Sequence, residues 1–108
     1  EPEAIAAGRE VKIGRFPFVA LGRALTQRAT DGFVKLIADR ATEQILGVGI
    51  VGPSASELIA EATLAIELGA TVEDLMHTIH VHPTLAEALP EAAELVRGAS
   101  IHIYKRAR

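Results

Sequence analysis

The amino-acid sequence predicts an α+β domain in which a small antiparallel sheet carries helices packed on one side. Two short runs rich in aliphatic residues, Phe33 to Ala38 and Ile45 to Val51, are separated by a connection of hairpin length. After them, apolar residues recur at steps of three and four, which is the period of an amphipathic helix. The 108 residues, 49% of them hydrophobic, are enough for one domain with an aliphatic core.

The first half of the chain contains the predicted strands. Residues 1–8 predict a short helix, with acidic residues and a proline in its first turn and a glycine as its stop. Val11 to Phe18 predicts an extended segment ending near Pro17, since proline cannot donate to a sheet. Residues 19–31 are polar and ambiguous, and Asp31-Gly32 marks a turn. We expect the two strands of the hairpin to be antiparallel neighbours.

A long helix is predicted after the hairpin. Ser54 and Glu57 have the spacing of a capping box, and Gly69 supplies a left-handed stop. Leu64 and Leu68 lie outside the apolar stripe of this helix, so two of its faces require burial. We interpret the second face as a partner surface, on another subunit or another domain. The alternative is that the following helices cover it.

Two further helices and a short extended end complete the predicted domain. Thr71 to Asp74 opens the second helix with capping-box spacing, and that helix ends near Ile79. Thr84 to Glu87 opens the third helix. Pro90 removes a backbone hydrogen bond within it and should bend or restart the helix after its first turn. Ile101 to Tyr104 is expected to be extended.

Composition and charge exclude several functions. The sequence has no cysteine, which removes disulfides, thiolate metal sites and a cysteine nucleophile. Its net charge is −3, and it has only four aromatic residues, which argues against nucleic-acid binding. Basic residues concentrate in residues 1–40 and acidic residues in 41–96, which predicts either charge complementarity between these parts or solvated faces. No membrane-length apolar run or leader is present, so we expect a soluble, cytoplasmic protein.

Two motifs suggest ligands that their sequence context does not support. Residues 47–52 spell the G-x-G-x-x-G of dinucleotide sites, but they continue a strand, and no second parallel strand follows. His77, His80 and His82 could hold a metal ion. We interpret the first two as residues of a helix end and the third as extended before Pro83, so convergence on one ion is not expected.

His82 and Glu87 form a candidate acid–base pair. Pro83 favours an extended conformation at His82, while Glu87, in the first turn of a helix, points back toward the helix start. A carboxylate bonded to one imidazole nitrogen fixes the tautomer and leaves the other nitrogen as a general base. Spacing alone leaves an alternative open, in which Glu87 caps the helix together with Thr84 and His82 is a polar loop residue.

The stretch from Thr78 to Ala88 resembles the end of a dihydrolipoamide dehydrogenase, in the pyridine nucleotide-disulfide oxidoreductase family. Other segments agree with this family in order and spacing, namely Gly14-Arg15-Phe16-Pro17-Phe18, Gly32-Phe33-Val34-Lys35-Leu36, Ile45-Leu46-Gly47, Gly52-Pro53 and Ala55-Ser56-Glu57-Leu58-Ile59. The resemblance spans essentially the whole chain and corresponds to the C-terminal dimerisation domain. It implies that residues 1–108 are one interface domain of a longer chain, whose FAD and NAD domains and redox-active cysteines lie upstream.

The resemblance also implies a function for the pair of His82 and Glu87. In such enzymes the histidine of the His-Pro motif reaches the partner subunit's disulfide site and exchanges protons with its thiols, supported by the glutamate five residues on. His82 and Glu87 match these positions, and the backbone of His82 and Pro83 would lie beside the partner's flavin. The implied protein is a homodimeric, FAD-dependent dihydrolipoyl dehydrogenase that oxidises dihydrolipoamide with NAD, and this domain alone would be inactive and bind no cofactor.

The partners implied by the resemblance are the FAD and NAD domains, a second subunit and a lipoyl substrate, with a 2-oxo acid dehydrogenase complex as a candidate. Nucleic acid, membrane and metal partners are not expected. Two alternatives stay open at this point. One is a noncatalytic dimerisation or assembly module with the same fold, and the other is the same domain from a glutathione reductase-like enzyme.

Overall fold

A computed structural model describes residues 1–103 and confirms the α+β class. The elements are α1 (Pro2–Ala6), β1 (Val11–Pro17), a 3₁₀ turn (Phe18–Ala20), α2 (Gly22–Thr26), β2 (Phe33–Asp39), β3 (Ile45–Val51), α3 (Ala55–Glu67), α4 (Val72–His77), a second 3₁₀ turn (Leu85–Glu87) and α5 (Ala88–Arg97). The predicted hairpin strands therefore form where expected, and β1 ends at the proline that the sequence indicated.

The three strands form an antiparallel sheet in the order β1-β2-β3. β1 pairs with β2 along its whole length, starting with Val11 opposite Asp39. β2 and β3 form the predicted hairpin, with one irregularity between Ile37 and Ala38. Because side chains alternate along a strand, one face of β2 is buried throughout, and its residues are Val34, Leu36 and Ala38.

Two helices cover the buried face of the sheet. α5 packs on β1 and β2, α3 packs on β3, and α4 packs on α5. The fully buried large side chains of this core are Phe16, Phe18, Leu36, Ile45, Leu89, Val34 and Val72. α1 lies toward the other face, where Glu1 Oε2 is 2.5 Å from Nζ of Lys35, a residue that points away from the core. The prediction of helices on one side thus holds for α3 and α5.

Two predicted helix starts have different outcomes. Thr71 and Asp74 form the predicted capping box, in which the Thr71 backbone N–H donates to Asp74 Oδ2 at 2.7 Å. The capping box predicted at Ser54 and Glu57 is wrong. Ser54 adopts a left-handed conformation with φ of 56°, and its side chain makes no capping hydrogen bond. An N-cap side chain reaches the helix amides from an extended backbone, which Ser54 does not have.

The third predicted helix begins with a 3₁₀ turn instead of an α-helical turn. Residues Leu85–Glu87 form a 3₁₀ turn and α5 begins at Ala88, so the restart expected from Pro90 is confirmed. Pro90 lies in the first turn of α5, where a backbone N–H would have no partner within the helix. The expected extended end is wrong for residues 101–103, which form bends, and Tyr104 lies outside the described residues.

A cluster of charged side chains ties four segments together. Glu43, between β2 and β3, accepts from Nζ of Lys12 at 3.1 Å and from Nε of Arg97 at 2.8 Å. Nη2 of Arg97 also donates to Glu73 at 3.2 Å. The Lys12–Glu43 pair joins the basic first part of the chain to its acidic middle, as charge complementarity predicted. The hydrogen bonds from Arg97 and Lys12 lower the pKa of Glu43.

This cluster predicts an acid-sensitive contribution to stability. Because the pKa of Glu43 is lower in the folded chain than its ordinary value of 4.5, its contribution is complete above that value. It is lost as the pH falls through the lowered pKa. Urea unfolding should therefore show Glu43→Gln less stable than wild type at pH 7, with the difference shrinking as the pH falls below 4.5. Glu67→Gln, at an exposed position of α3, controls for loss of a charge, and a difference for Glu43→Gln that is independent of pH would contradict the prediction.

Candidate functional site

The candidate site lies in the segment that joins α4 to the second 3₁₀ turn. α4 ends at His77, and residues 78–84 that follow form neither helix nor strand. Thr84 fixes the far end of this segment, since its Oγ1 donates to the Val81 carbonyl at 2.6 Å. Its backbone N–H donates to Glu87 Oε2 at 2.8 Å, which is the carboxylate half of a capping box. The local helix start therefore orients the Glu87 carboxylate.

His82 and Glu87 meet as the sequence predicted. Nδ1 of His82 lies 2.8 Å from Oε1 of Glu87, and the peptide bond between His82 and Pro83 is cis. The His82 side chain is 78% exposed, whereas that of Glu87 is 22% exposed. Glu87 thus uses one carboxylate oxygen for the Thr84 backbone and the other for His82. The capping and dyad interpretations of Glu87 are compatible, because its two oxygens serve the two contacts.

This geometry defines what the pair can do chemically. A carboxylate only accepts hydrogen bonds, so Nδ1 of His82 carries a proton and donates a hydrogen bond to Glu87. The neutral ring then has its lone pair on Nε2, on the side directed away from Glu87. An exposed imidazole held in one tautomer can accept a proton from a group that approaches from outside the domain. The chain itself offers no cysteine for that role.

The clustered histidines do not converge on a shared ligand. His77 Nδ1 lies 3.9 Å from Glu73, whereas Nε2 of His80 lies 2.5 Å from Glu61. Together with His82, each histidine thus contacts a different carboxylate. Within residues 1–103, no three side chains are arranged as metal ligands. Placing His80 at a helix end is wrong, because α4 stops three residues earlier. Its contact with Glu61, 19 positions away, had no local sequence signal.

The glycine-rich motif belongs to the sheet, as its strand context predicted. Gly47 and Gly49 are residues of β3, and Gly52 follows its end with φ of 144°. A Cβ added at Gly52 would lie 2.7 Å from the ring of Phe18, so close packing accounts for this glycine. The motif thus does not form a loop that could hold the phosphates of FAD or NAD.

Large apolar side chains are exposed around the site and on α3. Leu64 and Leu68, the residues outside the apolar stripe of α3, are 59% and 74% exposed. Ile79 and Val81 flank His80 and are 97% and 76% exposed. The following helices do not cover these side chains, so the second apolar face expected on α3 is present. None of the helices formed by residues 1–103 has the length and apolar character of a membrane span.

A known family model covers most of the chain. Residues 1–93 match the family model for the pyridine nucleotide-disulphide oxidoreductase dimerisation domain. The chain therefore belongs to this family, as its resemblance indicated. Among curated relatives, it is 58% identical to a dihydrolipoyl dehydrogenase of Thermus scotoductus over 106 residues, which are 98% of this chain and 23% of that protein. It is 53% identical to the dihydrolipoyl dehydrogenase of Bacillus subtilis, covering 94% of this chain and 22% of that protein.

Solved structures give the same class. The Mycobacterium tuberculosis protein LpdA superposes with a TM-score of 0.79 and 31% identity, covering 86% of this chain and 20% of that one. The HOCl-induced flavoprotein disulfide reductase RclA of Escherichia coli gives a TM-score of 0.84 and 27% identity, covering 89% and 22%. The chain thus spans about a fifth of the length of the proteins it matches.

Proposed function

We propose that residues 1–108 are the dimerisation domain of a longer, homodimeric dihydrolipoyl dehydrogenase that uses FAD and NAD, called the parent enzyme below. The support is identity of 53–58% to dihydrolipoyl dehydrogenases over nearly the whole chain. The domain alone is inactive, because it has no cysteine for thiol–disulfide chemistry. The upstream FAD and NAD domains and the 2-oxo acid dehydrogenase complex are part of this proposal. The cytoplasmic location expected from the sequence stays a prediction.

In the parent enzyme, His82 of one subunit acts as the base for the thiols at the partner subunit's redox disulfide. The observation that carries this role is the 2.8 Å contact between Nδ1 of His82 and Glu87, on a histidine whose side chain is 78% exposed. Glu87 accepts the hydrogen bond from Nδ1–H of His82, so Nε2 is the atom that accepts the proton of a thiol. An exposed position is required, since the thiol belongs to another subunit.

The overall reaction balances with this assignment. Dihydrolipoamide loses two electrons and two protons and becomes the disulfide lipoamide. The upstream domains would hold FAD and NAD, which would supply the two-electron acceptor, so that the overall products are lipoamide, NADH and one proton. His82 takes up a thiol proton so that the thiolate, which is the reacting form, can attack. His82 then returns its proton to solvent.

The energies are compatible with an imidazole base. An unperturbed thiol has a pKa of about 8.5 and an imidazole of about 6.5, a difference of about 2 units. Moving the proton from thiol to imidazole therefore costs about 2.7 kcal/mol. A hydrogen bond from Nδ1–H to a carboxylate stabilises the imidazolium that forms, as in the triads of hydrolytic enzymes. Glu87 accepts this hydrogen bond from His82.

A dimer interface places the base at the partner's thiols. The exposed side chains Leu64, Leu68, Ile79 and Val81 support such an interface, since large apolar patches on a domain surface mark contacts with other proteins. His82 lies next to Val81 in the same exposed segment. The backbone of His82 and Pro83 then lies beside the partner's flavin, which is compatible with the exposure of both residues.

The assignment is tested with the purified parent enzyme and two substrate pairs. We expect reduction of NAD with dihydrolipoamide, and no comparable oxidation of NADPH with glutathione disulfide. Activity confined to the glutathione pair would favour a glutathione reductase-like enzyme. A protein that binds no flavin and turns over neither substrate pair would be the noncatalytic assembly module. The gene sequence upstream of Glu1 should first be read for a flavin-binding segment followed by a pair of cysteines.

A further inference from the structure

The histidine that the proposed mechanism leaves unused is held more tightly than the base itself. Nδ1 of His80 lies 2.9 Å from the Thr78 carbonyl oxygen, and Nε2 lies 2.5 Å from Oε1 of Glu61 on α3. The His80 side chain is only 9% exposed, compared with 78% for His82. Both ring nitrogens of His80 therefore make hydrogen bonds, and the side chain is largely buried.

The hydrogen-bonding partners of His80 fix where its protons lie. A carbonyl oxygen only accepts, so Nδ1 carries a proton. The contact between Nε2 and Glu61 needs one further proton, either on the imidazole or on the carboxyl group. In either case, one proton lies between Nε2 of His80 and Oε1 of Glu61. A glutamine at position 61 could also make this bond, since its amide N–H can donate to the lone pair of Nε2.

His80 also attaches the segment that carries His82 to α3. Its neighbours Ile79 and Val81 are 97% and 76% exposed, so they do not attach this segment to the core. The bond to Glu61 joins the segment to α3, a helix of 13 residues packed on the sheet. At the other side of His82, Thr84 binds the Val81 carbonyl and Glu87. His82 is thus held between two fixed points.

We propose that His80 and Glu61 are positioning residues, which hold residues 78–84 on α3 so that Nε2 of His82 is directed at the partner's thiols. This inference rests on the function proposed above. Misplacing a catalytic group by about 1 Å can lower a rate by about 10²-fold. An exposed histidine that must act on another subunit depends on such support, because Glu87 orients the ring but does not anchor the preceding backbone.

The test uses the parent homodimer and three variants of α3. Glu61→Ala removes the anchor, Glu61→Gln keeps a donor for His80, and Glu67→Ala removes an exposed carboxylate of the same helix. We expect Glu61→Ala to lower kcat with dihydrolipoamide about 10–100-fold. Glu61→Gln should restore most of it, and Glu67→Ala should match wild type. Reduction of ferricyanide by NADH, in which electrons leave the flavin without a thiol proton, should stay near wild type in all three.

Each other outcome overturns the inference. If Glu61→Ala lowers kcat with dihydrolipoamide and ferricyanide reduction equally, Glu61 supports the fold in general and does not position His82. If Glu61→Gln is as slow as Glu61→Ala, the hydrogen bond is not the cause. If Glu61→Ala turns over like wild type while His82→Gln is inactive, the positioning role fails and the proposed function stands. Normal turnover of His82→Gln would instead contradict the proposed function itself.

Discussion

Replacing His82 by glutamine in the parent enzyme is expected to lower kcat with dihydrolipoamide by about 10²–10⁴-fold, the usual contribution of a general base. Glutamine has a similar length and can still bond Glu87 through its amide, but it cannot accept a thiol proton near neutral pH. The flavin content and dimerisation should be unchanged, because the His82 side chain is exposed and contributes nothing to the core. Steady-state kinetics and the flavin absorbance measure the two quantities.

His77→Gln is the matched control for this substitution. His77 is also exposed, at 72%, and lies at the end of α4 with a loose 3.9 Å contact to Glu73. The same chemical change at this position should leave kcat within about twofold of wild type, as is usual for surface substitutions away from a site. Near-normal turnover of His82→Gln would contradict the role assigned to His82, as would an equal loss for His77→Gln.

Gly14→Ala is expected to destabilise the domain by about 3 kcal/mol, at the upper end of the range for overpacked sites. A Cβ at Gly14 of β1 would lie 1.9 Å from the carbonyl oxygen of Ala92 and 3.0 Å from Cγ2 of Val96, both on α5. The backbone of α5 thus rests directly on β1, and neither element can move away without opening the core. Because α5 follows Glu87 directly, a shift of this helix also disturbs the candidate site.

Urea unfolding of the domain measures this effect. With a slope of about 1.5 kcal/mol per molar, the midpoint should fall by about 2 M. Gly49→Ala is the matched control, since a Cβ at Gly49 of β3 meets nothing within 4 Å. Its stability should stay within about 0.5 kcal/mol of wild type. If the two variants unfold at the same urea concentration, the close contact between β1 and α5 does not exist.

Elements with strong local signals were predictable from the sequence. The hairpin of β2 and β3 follows from two aliphatic runs around a short polar connection, and β3 forms at the predicted residues. The capping box of α4 follows from Thr71 and Asp74, whose contact depends only on residues three positions apart. Gly69 ends α3 in a left-handed conformation, as expected. In each case, neighbouring residues contain the whole physical reason for the structure.

Elements that depend on distant contacts were not predictable. α2, Gly22–Thr26, has five residues and buries only Ala24, so it lacks the apolar stripe that identifies a helix. Ser54 has the right residue type for a cap, but the turn before α3 places it in a left-handed conformation. Sequence spacing describes which side chains could meet and does not fix the backbone that carries them.

In the candidate site too, the contact between neighbouring residues was predictable and the contact between distant residues was not. His82 and Glu87 are five residues apart at a helix start, so their contact could be derived from local geometry, and the structure brings them together. His80 and Glu61 lie on different elements, and only the packing of residues 78–84 beside α3 joins them. The role of the dyad in another subunit's chemistry came from the resemblance, because the sequence contains no cysteine whose thiol could supply the proton.

A mixed dimer distinguishes whether His82 acts on the thiols of the partner subunit or on those of its own chain. One subunit of the parent enzyme carries His82→Gln with its redox cysteines intact. The other carries intact His82 with those cysteines replaced by serine. Neither homodimer should oxidise dihydrolipoamide. In the mixed dimer, one of the two sites combines intact cysteines with the partner's intact His82.

The mixed dimer, purified through a different affinity tag on each subunit, should recover about half of the wild-type turnover per dimer, because one site of two is complete. If His82 served the cysteines of its own chain, each site would keep one defect and the mixed dimer would be as inactive as both homodimers. We expect turnover to be recovered, whereas an inactive mixed dimer with full flavin content would show that His82 does not act on the partner's thiols.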